Sequence, residues 1–536
     1  MILHPIIFSW CPVIYLYVHN SSELALPMLI LTFIGVALLT LACWALVKLR
    51  QRDDARAALI TSTMILLFFS FGHLYNRTTV WAAVIPHYPV VFFTVWLLVL
   101  IGLVVLAACW RYDEHRLTDG INAAALVLFA ITVVSLVQTE WKHVRSDQAT
   151  GQIAPTFTSA DFTGHPLSAE KRPNFYYIIL DSYAREDMLL KFFDRSNHDF
   201  IAYLRRKGFY VAEKSTANYD QTIDSIPSSM NFSYVDQIAK EVGKYTSDRH
   251  PLARYIANSR TRELVKHFGY KFIAFPSEYA LMNLPSDVNM KGFDNLSDFE
   301  NSLIDTTPLM IFKLLVSNSA LDVFEQHRRM LQWQFANIPK ANRIDGPFFA
   351  FAHILAPHAP FVFDADGHPT SNDVLEARKR GRHWVIGRDY TVEEAKRYAD
   401  EVIYLNTLTE KMIDRILATA KRPTMIVLQA DHGPGYLPIS RGDKARINVP
   451  EKFGILNAYY FPDGTPKTLY PEITPVNSFR VIFNHYFGTH FSRLPDHHYF
   501  TPLSLPYLLE PMDAELAHPK PPLVLENSPT GSENAE

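Results

Sequence analysis

The first 140 residues restrict this chain more than any other feature. Leu24–Val47, Ala57–Phe71, Pro89–Trp110 and Ile121–Val137 are apolar runs, with charged residues gathered between them. A bilayer crossing takes roughly 20 such residues, and most of these runs approach or reach that length. Four such runs with charged residues only between them argue against core helices of a soluble protein. Pro5–Val18 is shorter and carries Pro12, so it is either a first span or an interfacial segment. No basic stretch or small-residue cleavage site precedes it, so a removed signal peptide is not expected.

The loops set the orientation. Lys48, Arg50, Arg52 and Arg56 lie between the second and third runs, counting Pro5–Val18 as the first, and Arg111 and Arg116 between the fourth and fifth. Arg77 is the basic residue of the intervening loop. The basic loops belong on the cytoplasmic side, which sends everything after the last run outside. Lys142 and Arg145 weigh slightly against this. The expected layout is a membrane domain of about five helices (1–140), a linker (141–171), a catalytic domain (172–511) and a disordered tail (512–536) rich in Pro and Glu.

Cys11, Cys43 and Cys109 all lie in the apolar part. The remainder therefore has no disulfide, thiolate metal site or cysteine nucleophile. A formal net charge of -3 at pH 7 gives no electrostatic footprint for nucleic acid.

Within the soluble part, Asn174–Leu180 reads as a strand buried on both faces, and Asp181 closes it. Ligands gather where parallel strands end, so Asp181 is either a metal ligand or a helix cap. His198–Lys207 reads as a helix stopped by Gly208, and Phe209–Ala212 and Tyr270–Phe275 as strands. Asn218–Asn231 is dense in hydroxyls and precedes a helix, and a helix N-terminus favours an alkoxide or a phosphate. Leu309–Phe335 reads as an amphipathic helical pair packed on the domain core, with a surface dipping into the bilayer as the alternative. Phe348–Leu355 is a buried strand followed by His358, which sits between Pro357 and Pro360 in a stiffened loop. His353, inside that strand, reads as a core histidine. Thr391–Ala420 is helical in pattern. The apolar strand after it ends in Asp431-His432-Gly433. Two acidic strand ends, a histidine and a hydroxyl loop suit zinc, manganese or magnesium better than copper or iron–sulfur chemistry.

Taken together, these motifs resemble the alkaline phosphatase/sulfatase superfamily. The nearest likeness is to its membrane-anchored branch, which includes lipoteichoic acid synthases and lipid A phosphoethanolamine transferases. The ordered set Asp181, Thr222, Pro357-His358, Asp431-His432-Gly433 carries the resemblance, across most of Arg172–Phe500. It implies a transmembrane helix bundle followed by an α/β domain, an alkaline phosphatase-like mixed sheet sandwiched between helices. It further implies Asp181, Thr222, Asp431 and His432 as ligands of a divalent metal (zinc or manganese, with magnesium the third candidate). Thr222 would be the nucleophile, and His358 would position the phosphate or assist the leaving group. Asn457 and Tyr459 fall in a shared region without an assigned role. Sulfatases carry cysteine or serine before a Pro-Ser-Arg type sequence, whereas Thr222 stands here, which argues against sulfate ester cleavage.

The implied activity is transfer of a phospholipid head group, phosphoethanolamine or phosphoglycerol, through Thr222 to an envelope lipid or glycan. It would take place on the periplasmic side of a bacterial-type inner membrane. A sulfatase-like hydrolase or phosphodiesterase using the same site, and a non-enzymatic envelope scaffold, are the competing readings.

Overall fold

The computed structural model describes residues 2–21, 26, 28–79, 81, 84–109, 113–153, 168, 171–290, 298–311, 323–370, 392–435 and 448–519. The chain divides into two compact units, one holding the apolar helices and one holding the sheet.

The first unit contains α1 (His4–Asn20), α2 (Met28–Arg50), α3 (Asp54–Thr78), α4 (Tyr88–Cys109) and most of α5 (Glu114–Ile153). Four helices among the described residues, α2 to α5, are long and apolar enough to cross a membrane. At 17 residues and with Pro12 inside, α1 is shorter. Leu31, Leu38, Leu98 and Val127 are each more than half exposed, an outward apolar face that suits lipid. Asp53 caps α3 by accepting from Arg56 N at 2.8 Å, and Arg56 pairs with Glu114. The expected linker is helical as far as Ile153, and residues 154–167 lie outside the described residues.

A helix from much later in the chain, Asp298–Asp305, belongs to this same unit. Phe299 and Leu303 pack among Val13, Tyr17, Leu29, Val36, Ile65 and Phe69. Met310 and Ile311 pack against Phe71, Tyr75, Tyr88 and Trp96. This corrects the expected packing of Leu309–Phe335 on the domain core. Met310 and Ile311, near its start, are buried among the apolar helices of their unit, because their side chains match that aromatic surface. Further on, Leu331 and Phe335 are buried as expected for core packing, and residues 312–322 lie outside the described residues.

Backbone contact is close at Gly72, whose N–H donates to Thr306 O at 2.9 Å. A Cβ there would stand 1.9 Å from Asp305 O. Gly72→Ala is therefore expected to destabilise the protein by about 1–3 kcal/mol, seen as a lower melting temperature in detergent. An unchanged melting temperature would contradict this packing.

The second unit is built on a six-stranded sheet of order β2-β6-β5-β1-β4-β3. Its strands are β1 (Asn174–Leu180), β2 (Tyr210–Val211), β3 (Lys271–Ala274), β4 (Phe348–Ile354), β5 (Thr424–Gln429) and β6 (Asn457–Tyr460). Parallel pairing joins β3, β4, β1 and β5, while β6 and β2 add antiparallel edges. The sheet is thus mixed. All seven residues of β1 are buried because both faces are covered. Phe175 and Tyr177 meet Tyr486 and Phe479 of the helix Pro475–Phe487. On the other face Tyr176 Oη donates to Asn342, which is tied to Ile416 O. Burying a side chain of this size contributes about 1.5–3 kcal/mol. In register, Ile179 lies opposite both His353 and Gln429, so β1, β4 and β5 end at one rim.

Asn457 and Tyr459 lie within β6 and make structural contacts. Asn457 Nδ2 donates to Ser215 Oγ at 3.0 Å, and Tyr459 Oη lies 2.6 Å from Ser478 Oγ. The expected disordered tail begins with a short helix, Asp513–Ala517. It is held because Asp513 pairs with His497 and His498 at 2.9 and 2.7 Å. Residues 520–536 lie outside the described residues.

Glu401, on the helix Val392–Thr419, is fully buried. It accepts from Val362 N at 2.9 Å and Phe363 N at 3.3 Å, fixing the chain just after His358. Burial pushes Glu401 up to about 7, against the pull of His327 and these two N–H groups. Burial works to lower His327, but Glu278, 2.5 Å from its Nδ1, and Glu401 raise it above its usual value. A raised carboxyl binds its proton more tightly folded than unfolded. Its stabilisation is therefore complete below pH 4.5 and lost as the pH climbs to about 7. His327 acts in the same direction from 6.5 upward. Melting temperature should thus fall from mildly acid to neutral pH, by about 3 kcal/mol of stability for Glu401. Glu401→Gln should flatten the fall, and an equally steep profile in that variant would refute the assignment.

Candidate metal centre

The site forms where the chain turns off β1. Ser182, directly after Asp181, has φ 66°, a left-handed conformation that non-glycine residues rarely adopt. Two bonds hold it. Ser182 N donates to Asp431 Oδ1 at 3.1 Å, and Tyr398 Oη donates to Ser182 O at 2.9 Å. Backbone strain of this kind costs about 1–3 kcal/mol and gathers at functional sites. Here it locks the ends of β1 and β5 together.

Asp431 and His432 leave β5 in the same place. Gly433, which follows them, has a φ outside the left-handed region. The residue is glycine because another backbone passes beside it. A Cβ would stand 2.0 Å from Glu451 O, and Gly433 N donates to Lys452 O at 2.7 Å. That approach delivers Lys452 to the site.

Thr222 is the first residue of the helix Thr222–Asn231, where unpaired N–H groups and the helix dipole favour negative charge. Its Oγ1 lies 3.4 Å from Asp181 Oδ2 and 3.2 Å from His432 Nε2. One ligand atom each from Asp181, Asp431 and His432 fall within 4.8 Å of one another, and all three residues are buried. The structure therefore brings Asp181, Thr222, Asp431 and His432 to one point on the rim.

The electrostatics call for a cation. Burial and the facing Asp181 push Asp431 up to about 6. Burial also works against charge on Asp181, yet His358 and the hydrogen bond with His353 Nε2 hold its carboxyl well below the usual range. Burial and Lys452 push His432 down to about 3, which keeps the imidazole neutral, as a ligand must be. Its Nδ1 lies 2.9 Å from Gly433 O. With Nδ1–H donating there, Nε2 presents its lone pair to the carboxylates and Thr222. Asp431 Oδ2 is sealed from solvent without a hydrogen bond among the described residues, facing His432 Nε2 at 3.4 Å. Two carboxylates, an imidazole and a hydroxyl with one such orphaned oxygen fit a divalent metal of the zinc or manganese type.

His358 is half-buried between two cis X–Pro bonds, with Nδ1 2.7 Å from Ala359 O. It stands close enough to act electrostatically on both Asp181 and His432. Three contributors escaped the sequence reading. Ser182 donates its hydroxyl to Asp181 Oδ1 at 2.9 Å. Lys452 places Nζ 3.1 Å from His432 Nδ1, and burial depresses its pKa. His353, expected to be inert in the core, places Nε2 3.2 Å from Asp181 Oδ2. Adjacency to Asp181 was the available signal for Ser182; no local motif marks Lys452 or the outward reach of His353. A half-open cavity of about 640 Å³ beside Tyr470, Arg480 and Arg493 shares no residue with this cluster.

Comparison with known proteins gives one sequence match. The family model described as Sulfatase matches residues 173–485, an interval that contains every residue of the cluster. No curated protein matches the chain by sequence. Among solved structures, the C-terminal periplasmic domain of EptC from Escherichia coli aligns at 12% identity and TM-score 0.39, covering 64% of this chain and 92% of that one. The lipooligosaccharide phosphoethanolamine transferase EptA from Neisseria meningitidis aligns at 10% identity and TM-score 0.37, covering 90% and 95%. The putative sulfatase yidJ from Bacteroides fragilis aligns at 15% identity and TM-score 0.38, covering 63% and 83%. The family model spans more than half of the chain, from the start of β1 to the helix after β6, and on that match this chain belongs to the sulfatase family.

Proposed function

We propose that this chain is a membrane-anchored transferase that moves a phospholipid head group, phosphoethanolamine or phosphoglycerol, through Thr222 to an envelope lipid or glycan. The observation that carries the reading is the Thr222 hydroxyl at a helix N-terminus, 3.2 Å from His432 Nε2 and 3.4 Å from Asp181 Oδ2. A divalent metal held by Asp181, Thr222, Asp431 and His432 would lower the pKa of that hydroxyl and offset phosphoryl charge. Thr222 Oγ1 loses its proton to solvent and attacks the lipid phosphorus. The bond to the diacylglycerol oxygen breaks, and His358 protonates that oxygen as diacylglycerol departs. Free N–H groups at the start of the helix Thr222–Asn231 stabilise the phosphoryl oxygens. An acceptor hydroxyl then gives its proton to His358 and attacks phosphorus, and the Thr222 oxygen leaves and is reprotonated. Anchoring in a bacterial-type inner membrane, with the catalytic domain on the periplasmic side, keeps donor and enzyme in one leaflet and raises their effective concentration.

Lys452 favours a second reading. An additional buried cation beside His432 suits a compact anionic ester, and so a sulfate or phosphate ester hydrolase. One experiment separates the two. Full-length protein in detergent is mixed with labelled phosphatidylethanolamine or phosphatidylglycerol and its intact mass is measured. A head-group adduct on Thr222 that is discharged by added glycan or lipid A supports transfer. Release of sulfate or phosphate from small esters, with no lipid-derived adduct, supports hydrolysis.

A further inference from the structure

We propose that His353 is a positioning residue for Asp181, holding its carboxylate in the rotamer that faces Thr222, Asp431 and His432. The proposal rests on reading Asp181 as a metal ligand. It starts from a clamp outside the site. Ser277 N donates to Asn283 Oδ1 at 2.8 Å, and Asn283 Nδ2 donates to Ser277 O at 2.9 Å, so the Ser277 backbone is fixed. Ser277 Oγ accepts from Tyr279 N at 3.2 Å and lies 2.8 Å from His353 Nδ1. The Asp181 carboxylate facing Nε2 can only accept, so the ring hydrogen belongs on Nε2 and Nδ1 accepts from the Ser277 hydroxyl. Nε2–H then donates to Asp181 Oδ2 across 3.2 Å.

The ring cannot drift. Gln334 Nε2 donates to His353 O at 2.9 Å and to Pro276 O at 2.8 Å, stitching the end of β4 to the Ser277 loop. His353 is 0% exposed, so water does not compete for its N–H. Ser182 Oγ holds the other carboxylate oxygen at 2.9 Å. Each Asp181 oxygen therefore has its own fixed donor and retains a lone pair for a cation. Outer-shell donors of this kind typically govern metal affinity by about 10–100-fold.

The test measures zinc and manganese dissociation constants by chelator competition on the full-length protein in detergent, with melting temperatures in EDTA as the fold control. His353→Phe removes the donor and should weaken binding by about 10–100-fold. His353→Gln retains an N–H able to reach Asp181 and should recover most of that loss. Ser277→Ala frees the tautomer and should fall between them. Wild-type affinity in His353→Phe overturns the proposal, as does a Gln variant no better than Phe. If His353→Phe does not fold, Ser277→Ala decides, and unchanged affinity there overturns it. Asp181→Asn isolates the underlying reading. If that variant binds metal like the wild type, the ligand role of Asp181 falls and the positioning role with it. If Asp181→Asn loses metal while His353→Phe keeps it, only the positioning role falls.

Discussion

Thr222→Ala is expected to lower head-group turnover by at least about a thousandfold while the fold persists. The methyl that remains still covers the helix start, and Thr222 is only half-buried. What disappears is the hydroxyl lying 3.4 Å from Asp181 Oδ2 and 3.2 Å from His432 Nε2. No cysteine stands in the soluble part to replace it, and Ser225, one turn along, is committed to Asp431 O at 2.7 Å. Thr222→Ser keeps an attacking oxygen and should retain measurable turnover. The check is a rate assay with labelled lipid alongside intact mass, since the adduct should vanish in the alanine variant. Alanine activity within tenfold of wild type would remove Thr222 from the mechanism.

Asp431→Asn should move two properties in opposite directions. Metal affinity is expected to fall by at least about a hundredfold, because a ligating carboxylate becomes a neutral amide. Melting temperature in EDTA should rise, by on the order of 1 kcal/mol of stability or more. The reason is geometric. Asp431 is wholly buried and faces the Asp181 charge, and its Oδ2 has no hydrogen bond among the described residues. The amide removes the repulsion and supplies donors. Functional sites commonly trade stability in this way. A metal-free variant that melts below the wild type would show that the two carboxylates do not strain the empty fold.

Much of this was legible because particular residues obey local rules. The uninterrupted apolar stretch Asn174–Leu180 forms a strand buried on both faces, and Asp181 and Asp431 do close parallel strands at a shared rim. The apolar helices were readable from length and hydropathy. What stayed hidden depends on contacts between distant segments. Nothing in the alternation of Phe348–Ile354 tells that His353 reaches past the strand end to Asp181. Lys452 comes to the site through backbone packing at Gly433, a relation with no sequence periodicity. The left-handed Ser182 is set by Asp431 and Tyr398, both far along the chain. The placement of Phe299, Leu303, Met310 and Ile311 was also missed, because an amphipathic segment has no mark saying which apolar surface it will choose.

The berth taken by Asp298–Asp305 orders events during synthesis. Chains generally fold from the N-terminus as they emerge, yet the clusters around Val13, Tyr17, Phe69 and Phe71 lack Phe299, Leu303, Met310 and Ile311 until the ribosome has passed Ile311. By then β1, the Asp181 turn and the Thr222 helix have already been made. The part translated first is therefore completed late, and its assembly waits on residues encoded between two strands of the catalytic sheet.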